Sequence, residues 1–528
     1  MRHLLLLVSC VINLLVHSQQ TDQAANAARK LSEVVYSVER YYVDEPNANQ
    51  LAEAAIVALL EELDPHSTYI PKEDLDDAQM QINGSFVGIG IRFQIIKDTI
   101  GVVATIPGGP SEKLGILPGD KIVMVDEQNV AGIGIKNNDV RQKLMGDLGT
   151  KVKVSVNRKG KVVDFMITRD KIPVFSVDAA YMIDKEIGYI KLNSFSRTTL
   201  QEVQNAIASL KNQGMKSLIF DLQGNGGGLL DAAHKLADEF LSGNKLIVYS
   251  EGRAQPRTDL KASKKGLFES GQLILLTDEY SASASEILSG AIQDWDRGLI
   301  VGRRTYGKGL VQRPMPLSDG SEIRLTIARY YTPTGRHIQK PYQDNETYRN
   351  DLNQRYLNGE FFLKDSIKMP DSLMFNTLKT KRVVYGGGGI MPDVFVPLDT
   401  TENSSYFAAL IGGGHVNNYA FEFVNKNRKT LESKYANIEL FKSEFNLDQA
   451  FMDDFFNYVQ NEDPELNFNA EQYAISESLL KLRLKAVIAQ DLWGTNEMFQ
   501  IYNQTNEILQ KAVELLQHKE YNKFQLEK

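Results

Sequence analysis

The sequence predicts an α/β core of repeated βα units, with a β-rich module ahead of it and helical regions at both ends. Between about Ile172 and Pro397, apolar runs of strand length alternate with stretches of helical spacing, as in "SLIFDLQGNGGGLLDAAHKLADEFL" and "QLILLTDEYSASASEILSGAIQDW". Each reads strand, loop, helix, and repetition of that unit builds a largely parallel sheet. Upstream, from Phe86 to Asp170, short β-branched runs alternate with Gly, Pro and Asp turns, the texture of compact β structure. At the two ends apolar residues recur every three or four positions, the period of an amphipathic helix. The resulting division is 1–18 leader, 19–85 helical, 86–170 β-rich, 171–400 core and 401–528 helical.

The chain has 528 residues, 42% of them hydrophobic and 24% charged, enough for several cores rather than one. A formal net charge of -8 and a pI near 5.6 argue against a nucleic-acid partner, which requires concentrated Lys and Arg. The opening "MRHLLLLVSCVINLLVHSQQ" has a short basic start, an apolar stretch from Leu4 to Val16, and small residues at Val16 and Ser18. This is the pattern of a secretory signal cut after Ser18, so an exported, periplasmic protein is expected. A rival reading takes Leu7–Cys10 as a lipoprotein box, although the apolar run continues past Cys10. Membrane association is expected only if this segment is retained or lipidated. Cys10 is the only cysteine, so cleavage would remove disulfides and thiol chemistry together. No HExxH occurs, and no metal or other cofactor is expected.

From Asp22 to about Tyr42, and again from Asn49 to Leu63, helical spacing is separated by a Pro-containing break. His66 in "LDPHSTY" reads as a hydrogen-bonded turn residue. In the β-rich module, "TKVKVSVNRKGKVVDFMITRD" alternates with period two and predicts a hairpin, while "NDVRQKLMG" is a helical interruption. The module resembles a PDZ domain through "GIGI" at Gly88, Ile89, Gly90 and Ile91 and through "GILPGDKIVMVDEQNV". Glycines there let successive N–H groups turn inward around a terminal carboxylate. The resemblance implies capture of polypeptides with free C-termini. Beyond about Thr400 the helical patterns carry no recognisable chemistry.

Two loops at strand ends concentrate the chemistry. "DLQGNGGGLL", Asp221–Leu230, offers exposed amides and a helix N-terminus, an anion-binding arrangement that serves a phosphate or a transient oxyanion equally well. It lacks the Lys-Ser/Thr ending of a P-loop. In "YSASASEIL", Ser283-x-x-Glu286 before an apolar run is a capping box, and a nucleophile at the same turn is the alternative. Lys308 lies between two glycines in "TYGKGLVQ", within an apolar stretch that otherwise reads as a strand. A lysine held in a desolvated pocket loses its proton more readily and can act as a base. Gln312 is four positions on; a straight strand would carry it about 13 Å away, so a bend at Gly307 or Gly309 is required for the two to meet.

"SASASEILSGAIQDWDRGLIVGRRTYGKGLVQ", Ser281–Gln312, resembles the signature of the carboxyl-terminal processing peptidases, or tail-specific proteases. The resemblance covers most of the chain, from "LDPHSTY" to "GGGGIMPDVFVP". It implies Ser283 as nucleophile, Lys308 as its base and Gln312 as support for the lysine. Amide donors for an oxyanion are implied at Gly227 and Ala284. Asp294 matches an acidic position sometimes assigned to the site, or is a structural helix residue. Three positions depart from the family pattern: Gln223 stands where arginine is common, Gly226 where proline is common, and Met145 where several members carry an arginine linked to peptide-triggered activation. The expected function is an exported serine endopeptidase whose substrates are recognised through their C-termini, with homo-oligomers left open. The alternative is an inactive peptide-binding scaffold on the same fold.

Overall fold

The structure, a computed structural model, describes residues 23–263 and 265–526. The expected leader at 1–18 lies outside the described residues. The chain divides into two compact units, one formed by the described residues up to Leu75 with Gln312–Thr326, the other by Asp76–Val311 with the residues from Ile327 onward.

In the first unit, a helix over 23–41 is followed by a second, Ala48–Glu61, whose start is capped by the Asn47 side chain accepting the Gln50 N–H. "LDPHSTY" forms an Asx-type turn. Asp64 Oδ1 accepts the N–H groups of His66 and Ser67, and its Oδ2 accepts the Ser67 hydroxyl. The turn leads into the strand Thr68–Ile70, which pairs antiparallel with Glu322–Arg324.

In the second unit the PDZ-like module enters and leaves through one antiparallel pair, Ser85–Gly88 with Asp170–Pro173. Between them lies a sheet in the order Ile91–Ile96, Thr99–Thr105, Lys121–Val125, Lys151–Arg158, Lys161–Thr168. The predicted hairpin pairs without interruption from Lys151↔Thr168 to Arg158↔Lys161. Its two turn residues, Lys159 and Gly160, both have positive φ, the geometry that matches strand twist in a two-residue hairpin. Val102, Ile122, Val154 and Ile167 form the module's core with Val140 of the helix Asn137–Leu144.

The core sheet has six strands. Val177–Met182 runs antiparallel to Ile187–Leu192, after which Ser217–Asp221, Gln272–Thr277, Leu299–Gly302 and Val394–Phe395 follow in parallel. Alternate residues face opposite layers. Leu218, Phe220, Leu273 and Leu275 pack with the helices Thr199–Asn212, Leu230–Ala237 and Ala284–Asp294. Tyr189, Ile219, Ile274 and Leu276 pack on Ile508, Leu509, Ala512 and Leu515 of the helix Glu507–Gln517. Burial on both faces explains why these strands read as continuous apolar runs. The sheet's second face is thus closed by one of the last helices of the chain, a role no local pattern signals. The remaining C-terminal helices have their own aromatic-rich core around Tyr419, Phe441, Phe455 and Leu484.

Candidate active site

The strand Gln272–Thr277 ends in a tight turn organised by Asp278. Its Oδ1 accepts the N–H groups of Tyr280 and Ser281, and the carboxylate also accepts the Gly224 N–H. The turn brings the chain to Ser283, the N-cap of the helix Ala284–Asp294, with φ 56° and ψ -111°. A non-glycine residue in this region of backbone space is strained, and a strained strand-to-helix turn projects its side chain from the sheet end. The three serines separate by partner. Ser281 Oγ donates to Leu222 O at 2.8 Å and Ser285 Oγ to Asn225 O at 2.9 Å, both fully buried. These two hydroxyls anchor the glycine loop to the turn, whereas Ser283 is only partly buried.

The glycine loop lies directly against Ser283. A Cβ on Gly227, where φ is 103°, would stand 2.8 Å from Ala282 O and Ser283 Cβ and 2.9 Å from Ala284 N. Only glycine fits there. The Gly227 N–H, expected to face an oxyanion, instead donates to Asn225 Oδ1 at 2.8 Å, because the loop folds back on its own asparagine. The N–H groups of Ala284 and Gly228 have no acceptor among the described residues.

Lys308 does not lie on a strand. Strand geometry resumes only at Leu310, and Gly307 bends the chain with φ 90°. Extending this glycine by a Cβ would bring it to 3.1 Å from Gly389 N. The Lys308 and Ser283 main chains are held together by two residues that the sequence assigned no part in catalysis. Glu286, fully buried, accepts the Ser283 N–H and the Lys308 N–H on Oε2, both at 2.8 Å. Its Oε1 accepts the Gly307 N–H at 2.7 Å and the Thr305 hydroxyl at 2.6 Å. Burial pushes this carboxyl up to about 7, against the opposing pull of its four donors. From the other side the Tyr330 hydroxyl reaches Ser283 O at 3.0 Å and also Lys308 O. Burial raises its pKa well above the usual tyrosine value, so the phenol remains a donor at neutral pH.

Asp294 occupies a structural position. Its Oδ1 accepts Arg336 Nε at 3.0 Å and Nη2 at 2.6 Å, and its Oδ2 accepts the N–H and hydroxyl of Thr334. Both partners of the ion pair are fully buried. Gln312 belongs to the first unit, where its amide donates to the main-chain carbonyl of His66. His234 and His337 each direct a ring nitrogen to a main-chain carbonyl, Lys261 O and Gly309 O respectively.

In the PDZ module, Gly90 takes φ 75°. Ile89 O accepts the Ser111 N–H and hydroxyl, and Gly90 O accepts the Ile106 N–H. The N–H groups of Ile89 and Gly90 have no acceptor among the described residues, which leaves a pair of adjacent donors between Gly88 and Ile91.

Comparison with known proteins matches residues 186–346 to peptidase family S41, residues 87–168 to the PDZ domain, and residues 406–494 to a family of unknown function (DUF8443). A carboxy-terminal-processing protease of Bartonella bacilliformis is 35% identical over 342 residues, 63% of this chain and 78% of that protein. The carboxy-terminal processing protease CtpA of Bacillus subtilis is 35% identical over 313 residues, 59% of this chain and 66% of its own length. A solved structure of a photosystem II D1 C-terminal processing protease is 30% identical and covers 58% of this chain and 88% of its own, with a TM-score of 0.32. With 78% of the Bartonella protein spanned at this identity, the chain belongs to peptidase family S41, as a serine peptidase core carrying a PDZ domain.

Proposed function

We propose that the protein is an exported endopeptidase in which Ser283 is the nucleophile and Lys308 its general base, acting on polypeptides captured by their C-termini. The observation that carries this reading is the double tie of Ser283 and Lys308 through Glu286 and Tyr330. A fixed pair of main chains converts nucleophile and base into a preorganised unit. Neutral Lys308 takes the Ser283 proton as Oγ attacks the peptide carbonyl. The C–N bond then breaks, and the lysine returns its proton to the departing amine. Water, deprotonated by Lys308, then attacks the acyl ester, and the lysine returns that proton to Ser283 Oγ as the C–O bond breaks. The oxyanion is held by the N–H groups of Ala284 and Gly228, while Gly227 supplies the close approach.

The unpaired amides at Ile89 and Gly90, with the turn at Gly88–Ile91, suit a terminal carboxylate. Export rests on the apolar N-terminal run, and N-terminal sequencing of the secreted form tests it. For the reaction, wild type, Ser283→Ala and Lys308→Ala are incubated with unfolded proteins bearing free or amidated C-termini, and fragments are read by mass spectrometry. Fragments from wild type alone, with faster cleavage of the free-ended substrate, are expected. Equal activity in all three proteins would end the mechanism.

A further inference from the structure

The C-terminal helices 406–494 match a family to which no function is attached, and their contact with the PDZ module is specific. The strand Ile91–Ile96 is the outermost of the PDZ sheet, paired on one side with Thr99–Thr105 and with no strand partner on the other among the described residues. Alternate residues of this strand face different neighbours. Ile91, Phe93 and Ile95 pack on the module's own core. Arg92 and Gln94 reach outward to the helices: Arg92 Nη2 lies 3.1 Å from Asp491 Oδ1 and donates to Gln490 O, and Gln94 Nε2 donates to Asn418 Oδ1 at 2.6 Å. In the turn that follows, Lys97 Nζ lies 2.7 Å from Glu462 Oε1.

The apolar part of the contact is Phe421, 3% exposed, clustered with Ile96 and Val103 of the PDZ sheet and with no other buried side chain. The PDZ face is shaped to receive it. A Cβ on Gly101 would stand 2.9 Å from the Phe421 ring, and one on Gly119 would stand 2.9 Å from Asn425 Oδ1. Gly101 lies within a strand and does not have positive φ, so close approach to the helix is the reason for glycine there.

We infer that the C-terminal helical region is a fixed mount for the PDZ domain, gripping the outward face of the edge strand beside which a substrate tail docks. This rests on the reading that the PDZ module captures C-termini. Tail recognition by strand addition uses the free edge of such a strand; among the described residues no strand pairs on that edge, and the helix contacts come from the outward-facing side chains of Arg92 and Gln94. A captured tail is then presented from one orientation, which raises the effective concentration of the substrate at the protease core. A PDZ domain swinging freely on its two-strand stem would lose that advantage.

The test is a bump and a hole across the contact. Gly101→Leu drives a side chain into the Phe421 ring, and Gly101→Leu/Phe421→Ala reopens the space. Phe421→Asp undocks the face from the helix side and serves where the leucine is accommodated. For each protein, kcat/KM is measured on one substrate with a free and with an amidated C-terminus, alongside tail-peptide affinity and hydrogen exchange over 99–105 and 415–434. Undocked variants are expected to keep cleavage of the amidated substrate and tail affinity while their free-to-amidated ratio falls about tenfold or more toward one. The double variant should restore the ratio. A retained ratio in a protein whose exchange shows undocking overturns the mount, as does a rise in cleavage on undocking, which would make the contact a brake. Exchange left unchanged in both Gly101→Leu and Phe421→Asp overturns the grip itself. A wild-type ratio of one instead sinks the capture reading, and the mount falls with it.

Discussion

Replacing Glu286 with Gln tests the clamp most directly, because shape is kept and only the acceptors change. The carboxylate accepts two donors on each oxygen: Thr305 and Gly307 on Oε1, Ser283 and Lys308 on Oε2. An amide has one acceptor oxygen, so whichever way it lies, two donors face its NH2 group. Two hydrogen bonds to a charged group are lost, at about 1.5–3 kcal/mol each. Against this, ionising a carboxyl raised from 4.5 to about 7 by burial costs about 3 kcal/mol above neutrality, and the amide avoids that cost. Overall stability at pH 8 should therefore fall by only about 0–3 kcal/mol, while kcat falls about 100-fold as nucleophile and base lose their shared anchor. Urea unfolding and kcat on an unfolded protein substrate, measured on the same sample, separate the two effects. The pH dependence has opposite signs in the two measurements. Because the folded pKa is raised, the folded state holds the proton more tightly, and this contribution to stability is present below about 4.5 and lost as pH rises to about 7. The clamp needs the ionised form to accept four donors, so activity rises over the upper part of that range. Folded Glu286→Gln enzyme with kcat within threefold of wild type would refute the reasoning.

Other substitutions follow from the same contacts. Tyr330→Phe removes the hydroxyl shared by Ser283 O and Lys308 O; kcat should drop about tenfold with KM unchanged, and a change confined to KM would place the phenol elsewhere. Asp294→Asn breaks a fully buried ion pair with Arg336, so stability should fall by about 3–5 kcal/mol with kcat per folded molecule preserved; a well-folded but inactive variant would make Asp294 catalytic after all. Gly227→Ala combines φ 103° with a Cβ 2.8 Å from Ser283 Cβ; active-site titration should show loss of acylation, accompanied by a lowered melting temperature from the strain. Normal acylation would mean that the loop has room to move.

Much of the core was legible because its signals are local. Strands buried on both faces read as apolar runs, the glycine loop and serine turn fall at their ends, and a hairpin with Lys159 and Gly160 at the turn follows from alternation alone. The Ser283-x-x-Glu286 spacing was also legible, but only as a cap. Its second use was not, because Gly307 and Lys308 arrive from more than twenty residues away and offer backbone N–H groups that every residue has. Tyr330 gave no signal at all, being one of two adjacent tyrosines at the end of a strand. Period two over 308, 310 and 312 places Lys308 on a strand, whereas Gly307 at φ 90° ends that geometry before it starts. The PDZ mount was invisible for a related reason. Its determinants are two glycines and one phenylalanine whose meaning lies in what they touch across more than 300 residues of sequence.

On the proposed reading, in which Lys308 is the base, these contacts bear on how a lysine can replace histidine. In a Ser-His-Asp site a third side chain orients the imidazole through its second nitrogen. An ammonium or amine on a four-carbon stem has no second ring atom to hold, so control must be exerted elsewhere. Here it is exerted on the backbone: one carboxylate fixes the N–H groups of Ser283 and Lys308 together, and one phenol fixes their carbonyls. On the same reading the acidic group that serves the pair is Glu286, in the first turn of the helix that follows Ser283. Asp294, eleven residues beyond the serine on the same helix, is engaged with Arg336 and Thr334. A substitution that spares the side chains of Ser283 and Lys308 but disturbs Glu286 should therefore cost more activity than one at Asp294.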